Sequence, residues 1–396
     1  MKDVKINKAK AIFIQRGIGN LVLAHVQAVL FCFFAHLFVG VHAYNLVIQA
    51  RSFFDSAYPS AGATSHGQKF FYLGGGGQVL GNFLVHLIDV GDATGIFFVL
   101  PGFQLIPTMA YQLDSQLLIF AGASLQRLYG DAQWFQAEPM LTLSYFTKWG
   151  RFNFGNLQGS LDHQLPETMM GYGQVLQNRQ ETGLQFLGNT RNTSYDLWLD
   201  WQKAIRPDDP FKERFVAGFS GNWKAINNKH LQLAIPAYLS IFHSGGEIDL
   251  STGINATQYN FNTGLSCTLG KIKAGILFDF YEDESAQSID TFRDGWGQRA
   301  YLQYTGKVLQ SELGYWDAHQ FQAPQGEVMY QSLSRKEMGR SYFFRKMYWT
   351  RWSLRKSFNP QAEALFRCGT WYDVHQNTLD FSVEIYVKWN LDIKLN

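Results

Sequence analysis

The chain has 396 residues and a formal net charge of +2, with 34 basic and 32 acidic side chains spread along it, and no basic arm suits nucleic acid. Charged residues make up only 17% of the chain, below the roughly 25% of soluble domains, whereas aromatic residues reach 16%. Past residue 50 no apolar run of about 18 residues occurs, which excludes a spanning helix there. This combination favours a barrel, in which lipid-facing and lumen-facing residues alternate.

The first 43 residues have the pattern of an export signal. A basic segment is followed by the predominantly apolar residues 21–38 and then by Val41-His42-Ala43, which resembles an A-x-A cleavage site. We therefore expect a signal peptide over 1–43, cleavage after Ala43 and a single barrel domain over 44–396. The alternative is an uncleaved anchoring helix, because the apolar stretch is nearly long enough to span a membrane.

After residue 43 the dominant period of hydrophobicity is two. In the last segment, apolar residues occupy every odd position from Leu379 to Leu395, and the even positions between them are mostly polar. Such alternation places all the apolar side chains on one face of a strand, and the segment is long enough to cross a bilayer at a tilt.

Similar segments recur along the whole chain. We predict strands at 44–54, 97–113, 116–127, 134–146, 151–158, 179–188, 194–203, 213–224, 229–242, 255–268, 271–282, 296–306, 308–319, 342–356, 361–372 and 378–395. The fold class is therefore all-β: a transmembrane antiparallel up-and-down β-barrel of about 16 strands, within a range of about 14–18.

The connections between these strands alternate in length. Short turns of a few residues separate longer loops, which predicts short periplasmic turns and long external loops. The first external loop, residues 55–96, is the longest. It includes four consecutive glycines at 74–77 and an apolar stretch after them, and it is interpreted as a lumen plug, as a cap over the mouth, or as a plain surface loop.

Charged residues on the final strands share the face that points away from lipid, where charges inside a membrane are tolerated. This lumen charge band is either a cationic patch that favours anionic solutes or a set of salt bridges that stiffen the wall. The second reading is favoured because acids lie where they could pair with the arginines. The band comprises Glu312, Arg345, Arg351, Arg355, Glu363, Arg367, Glu384 and Lys388.

Polar residues of three predicted external loops form a second candidate group. If these loops met over the mouth, they could ligate a divalent metal or pair a base with its orienting carboxylate. Loop hydrogen bonding is the favoured reading, so no catalytic residue, metal or cofactor is assigned. This external-loop group comprises His163, Glu167, His243, Glu247, Asp249 and His319.

Several motifs resemble a known family. They are Gly155-Asn-Leu-Gln-Gly159 running into His163, Leu165 and Glu167, Glu181-Thr-Gly-Leu-Gln-Phe-Leu187, Asp196-Leu-Trp-Leu-Asp-Trp-Gln202, His243-Ser-Gly-Gly-Glu-Ile-Asp249, Gly314-Tyr-Trp-Asp-Ala-His319 and Ala323-Pro-Gln-Gly-Glu327. Together they resemble an uncharacterised porin-like outer-membrane β-barrel family of the Bacteroidota. The resemblance implies the outer membrane, the barrel and its topology, but no particular substrate.

Three functions follow from this pattern. The first is a porin-like channel for small solutes, because a barrel of about 16 strands can enclose an aqueous lumen. The second is a plugged barrel that serves as a structural or assembly partner of another outer-membrane protein. The third is an outer-membrane hydrolase, ranked last because no enzyme signature stands out, so the chain is expected not to be an enzyme. Expected partners are outer-membrane lipid, the barrel-assembly machinery and a small solute.

We predict that protein isolated from outer membranes begins at Tyr44, because signal peptidases require a small residue before the cut. N-terminal sequencing and intact mass would measure this. Replacing Ala43 with phenylalanine should leave residues 1–43 attached. A wild-type protein that retains those residues would instead indicate an anchoring helix.

Overall fold

The computed structural model describes residues 71–79, 102–128, 136–158, 163–171, 180–246, 255–285, 292–333, 341–359 and 362–395. Within these ranges sixteen antiparallel strands form one closed barrel, in which each strand pairs with its sequence neighbours and the first pairs with the last. The strands are β1 (Phe71–Val79), β2 (Gly102–Gln112), β3 (Leu117–Leu128), β4 (Gln136–Phe146), β5 (Arg151–Asn156), β6 (Thr182–Asn189), β7 (Thr193–Lys203), β8 (Arg214–Asn227), β9 (Leu231–Ser244), β10 (Ala256–Leu269), β11 (Ile272–Asp283), β12 (Asp294–Thr305), β13 (Leu309–His319), β14 (Phe344–Asn359), β15 (Ala362–Asp373) and β16 (Thr378–Leu395).

The predicted all-β, up-and-down architecture is confirmed, and fifteen of the predicted strands match β2 to β16 closely. A short 3₁₀ helix, Val328–Tyr330, lies between β13 and β14. Within the described ranges no helix is both long and apolar enough to cross a membrane.

Strand β11 shows how the alternation builds the wall. Ile276 and Phe278 are 52% and 43% exposed on the outside, whereas Leu277 and Asp279 are buried on the lumen side. Successive side chains point to opposite faces of a strand, so each strand gives an apolar row to lipid and a mixed row to the interior.

Strand β1 contradicts the expectation of a continuous first loop over 55–96. It pairs with β16 from Phe71 opposite Leu395 to Val79 opposite Val387, and with β2 on its other side. Glycine has no side chain to alternate, so residues 74–77 hide the strand pattern in the sequence. For 71–79 the plug, cap and surface-loop interpretations are therefore all wrong. The strand predicted at 44–54 and the signal peptide predicted over 1–43 lie outside the described residues.

The connections follow the predicted alternation of short turns and long loops. Short turns lie at 113–116, 147–150, 190–192, 228–230, 270–271 and 306–308, and the connections at the other end of the barrel are longer, except the four-residue turn 374–377. Side chains close the turns: Asp114 accepts hydrogen bonds from the backbone N–H groups of Gln116 and Leu117 at 2.7 and 2.8 Å. By the usual orientation of such barrels the short turns are periplasmic.

We predict that cysteines at Gly75 and Leu391, which lie opposite each other in the β1–β16 pair, form a disulfide under mild oxidation. The three native cysteines would first be replaced by serine, and the crosslink would be read by mass spectrometry of the digested protein. Cysteines at Gly75 and Leu379 are the control, because Leu379 lies twelve positions away along β16. Equal crosslinking of both pairs would contradict the register of the closing seam.

Candidate functional site

The loop segment 163–171, between β5 and β6, crosses the lumen. Near one end His163 bonds to Asp196 on β7, and farther along Glu167 bonds to Arg351 on β14. In a ring of sixteen strands, β7 and β14 lie on nearly opposite walls. We call this segment the lumen strap.

His163 fixes the first end of the strap. Its Nδ1 lies 2.7 Å from Oδ2 of Asp196, and its Nε2 lies 2.6 Å from Oε2 of Glu181. The imidazole stacks on the indole of Trp198, with ring centroids 3.8 Å apart and planes 4° apart. Gln185 donates to the carboxylate of Asp196 at 3.0 Å, which completes a buried polar group around a ring that is 1% exposed.

This arrangement decides what His163 can do. Burial alone would lower the pKa of His163, but hydrogen bonds and charge from Asp196 and Glu181 outweigh it and raise the pKa to about 10. At neutral pH the ring is therefore an imidazolium that donates from both nitrogens, and a ring in that state cannot accept a proton as a general base. The residue is an anchor. It also holds the backbone in an unfavourable left-handed conformation, because His163 and Gln164 have φ angles of 49° and 58°.

Glu167 fixes the middle of the strap. Its two carboxylate oxygens accept hydrogen bonds from the guanidinium groups of Arg351 and Arg367. Burial would raise the pKa of Glu167, but the two guanidinium groups lower it to about 2, so the carboxylate stays ionised. Thr168 adds a third attachment by donating to Oδ1 of Asp279 on β11 at 2.6 Å.

A second loop, residues 320–333, also enters the barrel and joins the strap through its backbone. The N–H of Glu327 donates to the carbonyl of Glu167 at 2.8 Å, and the N–H of Gly171 donates to the carbonyl of Gln325 at 2.7 Å. A Cβ atom at Gly171 would lie 2.9 Å from Cα of Glu327, so only glycine permits this approach.

The second loop builds a hydrophobic core inside the barrel. Arg345, 2% exposed, holds it by donating to the carbonyls of Met329 and Gln331 at 2.8 Å and to Oδ2 of Asp373 at 3.0 Å. This half of the lumen is therefore protein interior. The core cluster comprises Tyr281, Trp316, Ala318, Phe321, Ala323, Met329, Tyr330, Met347, Trp349 and Trp371.

The predicted lumen charge band takes part in these attachments. Arg351 and Arg367 are bound by Glu167 of the strap, and Arg345 is bound by Asp373 at the long-loop end of β15. Arginines that bind loop residues hold those loops in place.

The remaining members of the band lie farther along the same strands. Arg355 Nε is 3.8 Å from Oε2 of Glu363, and the Arg355 side chain is more than half exposed. By backbone register, Glu312 lies opposite Arg351, Glu384 opposite Arg367, and Lys388 opposite Glu363. The side chains of Glu384 and Lys388 are outside the described part of the structure.

The external-loop group does not form one site among its described members. His163 and Glu167 belong to the strap, whereas His243 and His319 lie near the long-loop ends of β9 and β13 and share the outward-facing alternation of those strands. The four residues do not meet the condition for a shared metal or base site, because His163 and Glu167 lie inside the barrel and the two other histidines share the outward faces of their strands. Glu247 and Asp249 lie outside the described ranges.

Sequence reasoning missed the partners that fix the loops. Asp196 and Trp198 both point inward from β7, and Glu181 precedes β6. An acidic residue on the lumen face of a strand was the available signal. It indicates a need for a buried cation, but it does not say which of many basic residues supplies the charge.

A cavity of about 580 Å³ lies beside the strap toward the short-turn end. Arg151, Gln164, Asp196, Asn222, Tyr238 and Lys273 are among its lining residues. In the part of the chain that the structure describes, no group of three or more His, Cys, Asp or Glu side chains could hold a metal ion.

The closed sheet, apolar outside and charged within, defines the chain as an integral outer-membrane β-barrel protein. A family model described as "Lipid A 3'-O-deacylase-type" matches residues 99–396, and the chain belongs to this family. None of the curated proteins matches the sequence of this chain.

Several solved outer-membrane barrels are similar in structure. They include a loop-deletion mutant of OmpT of Vibrio cholerae (13% identity, 82% of this chain and 98% of that one, TM-score 0.47) and OprD of Pseudomonas aeruginosa (9% identity, 82% and 94%, TM-score 0.46). An anion-selective porin from Comamonas acidovorans has 10% identity over 82% of this chain and 99% of its own, with a TM-score of 0.47.

The family corrects one expectation from the sequence. The chain was expected not to be an enzyme, because it carries no familiar catalytic motif. That expectation is wrong, since the family that covers most of the chain is described by a deacylase activity. The absence of the short motifs of soluble enzymes therefore did not exclude an enzyme.

We predict that His163→Gln destabilises the barrel by about 3 kcal/mol, because it leaves two carboxylates near a buried neutral amide. The pKa of His163 is raised from 6.5 to about 10 in the folded protein. The stabilisation by the His163 imidazolium should therefore be complete below pH 6.5 and lost as the pH approaches 10. The midpoint of the heat-dependent gel shift would measure both effects. His230→Gln, in an exposed short turn, should change little. If the stability of wild type and of the variant depended on pH in the same way, His163 would not be a stabilising imidazolium.

Proposed function

We propose that this protein hydrolyses ester-linked acyl chains of a lipid A-type glycolipid in the outer leaflet of the outer membrane. The observation that carries the proposal is the family match over residues 99–396. The barrel then acts as a scaffold that holds an active site at the level where such a lipid resides.

The filled lumen supports this reading. The strap and the loop 320–333 occupy the interior and bond to the walls through Asp196, Arg351 and Arg345. A lipid does not need the lumen, because it reaches the outer wall by diffusing in the plane of the membrane.

The outer wall near the long loops has the chemistry that a lipid ester meets. Trp201, Trp296 and Phe344 are exposed on the outside near the ends of their strands, as in the aromatic girdles of such barrels. Polar groups lie among them: the indole N–H of Trp201 donates to Oε1 of Glu213 at 2.7 Å. The acyl esters of a glycolipid lie at this boundary between hydrocarbon and headgroups.

A channel for small solutes is the second candidate, and the cavity of about 580 Å³ beside the strap favours it. The same loops would also suit a plugged barrel that partners another outer-membrane protein. Conductance in a planar bilayer separates the channel from the other two functions.

The deciding experiment places the purified full-length protein in vesicles that contain lipid A and measures released fatty acid by mass spectrometry. We expect release of ester-linked chains, with one oxygen from ¹⁸O-labelled water in each freed carboxyl group, because hydrolysis adds one water oxygen. Heat-denatured protein is the control. Intact lipid A beside well-resolved channel conductance would overturn the proposal in favour of a pore.

A further inference from the structure

The cavity beside the strap faces the short-turn end of the barrel, and we call it the vestibule. Its lining residues come from β4 to β9, from β11 and from the short turn 147–150. Gln164 and Asp196 line it at the strap, where Asp196 is bonded to His163. The strap therefore lies between the vestibule and the long loops. By the usual orientation of such barrels, a solute would enter the vestibule from the periplasm.

The vestibule has the size and the mixed lining of a ligand site. Its volume of about 580 Å³ falls within the range of about 300–1,000 Å³ that is usual for pockets that bind small molecules. Phe146 and Leu187 supply apolar surface, whereas Ser194 and Ser220 supply hydroxyl groups. Ligand pockets combine apolar surface with a few polar groups in this way.

Lys273 gives the vestibule a positive charge that is not paired with an acid. By register its cross-strand neighbours are Thr268 on β10 and Gln303 on β12, and both are uncharged. The Lys273 ammonium lies 5.8 Å from the ring centroid of Tyr301, and it forms no ion pair with a described residue. A cation held on the lumen wall without a paired acid attracts an anion.

The other charged groups of the lining do not cancel this charge. Among the described lining residues the one acid is Asp196, whose Oδ2 lies 2.7 Å from Nδ1 of the His163 imidazolium. Gln185 also donates to the Asp196 carboxylate. Arg151 on β5 adds a second cation. The lining therefore favours a ligand with negative charge.

Neutral hydrogen-bonding groups line the wall between the two cations. Gln164, Ser194, Ser220 and Tyr238 belong to this set. The side-chain oxygen of Asn222 is buried and has no hydrogen-bond partner among the described residues. A buried acceptor without a donor is unfavourable, and a small rotation of the amide would turn this oxygen toward a hydroxyl group in the vestibule. Groups of this kind suit the several hydroxyls of a sugar.

We propose that the vestibule binds a periplasmic sugar that carries a phosphate or a carboxylate group. The anionic group pairs with the Lys273 ammonium, and the sugar hydroxyls bond to Asn222 and to the two serines. The inference goes beyond the proposed hydrolysis, which concerns the outer wall near the long loops. It gives the opposite end of the barrel a binding site of its own.

The test is isothermal titration calorimetry on the full-length protein in a detergent without a sugar headgroup. Four probes are compared: glucose 6-phosphate, glucuronate, glucose and inorganic phosphate. We expect the two anionic sugars to bind. Glucose and inorganic phosphate should each bind at least about tenfold more weakly, because each lacks one of the two groups that the lining recognises. The first two probes distinguish a phosphate from a carboxylate ligand.

Variants of Lys273 test the anion contact. Lys273→Gln should weaken the binding of both anionic sugars at least about tenfold, because it removes a charge-assisted hydrogen bond. Lys273→Arg keeps the charge and should stay within about threefold of wild type. Lys229→Gln removes a lysine from an exposed short turn outside the lining, and it should change the affinity less than about twofold. The heat-dependent gel shift would confirm that each variant is folded.

A second variant tests the location of the site. Ser194 lines the vestibule near the short-turn end of β7. Ser194→Trp should fill the space and abolish the binding of all the probes while Lys273 stays in place.

Three results would overturn the proposal. The first is no binding of either anionic sugar at millimolar concentration. The second is unchanged affinity in folded Lys273→Gln or in folded Ser194→Trp, because the ligand would then bind elsewhere. The third is equal affinity for inorganic phosphate and glucose 6-phosphate, because the neutral polar wall would then contribute nothing.

Discussion

The need to pair every backbone N–H and C=O group within the hydrocarbon layer governs this molecule. Water is absent there, so an open sheet edge would cost several kcal/mol for each unpaired group. Strand β1 meets this constraint by pairing with β16 on one side and β2 on the other. Four glycines in its centre can still meet the constraint, because strand pairing uses the backbone N–H and C=O groups that every glycine has.

Once the sheet is closed, charge determines what occupies its interior. The imidazolium of His163 in the strap pairs with the carboxylates of Glu181 and Asp196. The strap carboxylate of Glu167 pairs with Arg351 and Arg367. Breaking such a buried pair leaves a charge without compensation, which favours a single position for each loop. The barrel wall therefore surrounds the folded strap and the loop 320–333, where an open barrel would hold water.

The sequence predicted fifteen of the strands because period-two alternation is a local signal that survives without knowledge of neighbours. It missed β1, whose glycines carry no alternation, and it did not identify the strap and the loop 320–333 as the segments that fill the lumen. The attachments of the strap join residues as distant as Glu167 and Arg367, 200 positions apart. No spacing rule connects such residues, because only closure of the barrel brings them together. The faces of His243 and His319 could be read from strand parity, whereas the contact between His243 and the hydroxyl of Thr257 required the β9–β10 register.

The strap also has a mechanical effect. A ring of strands resists stretching along its hydrogen bonds, but it flattens easily into an ellipse because bending between neighbouring strands is soft. A member tied at β7 and at β14 and β15 works as a diametric brace against that flattening. The curvature that the exterior presents to lipid is then nearly constant when lateral pressure in the membrane changes.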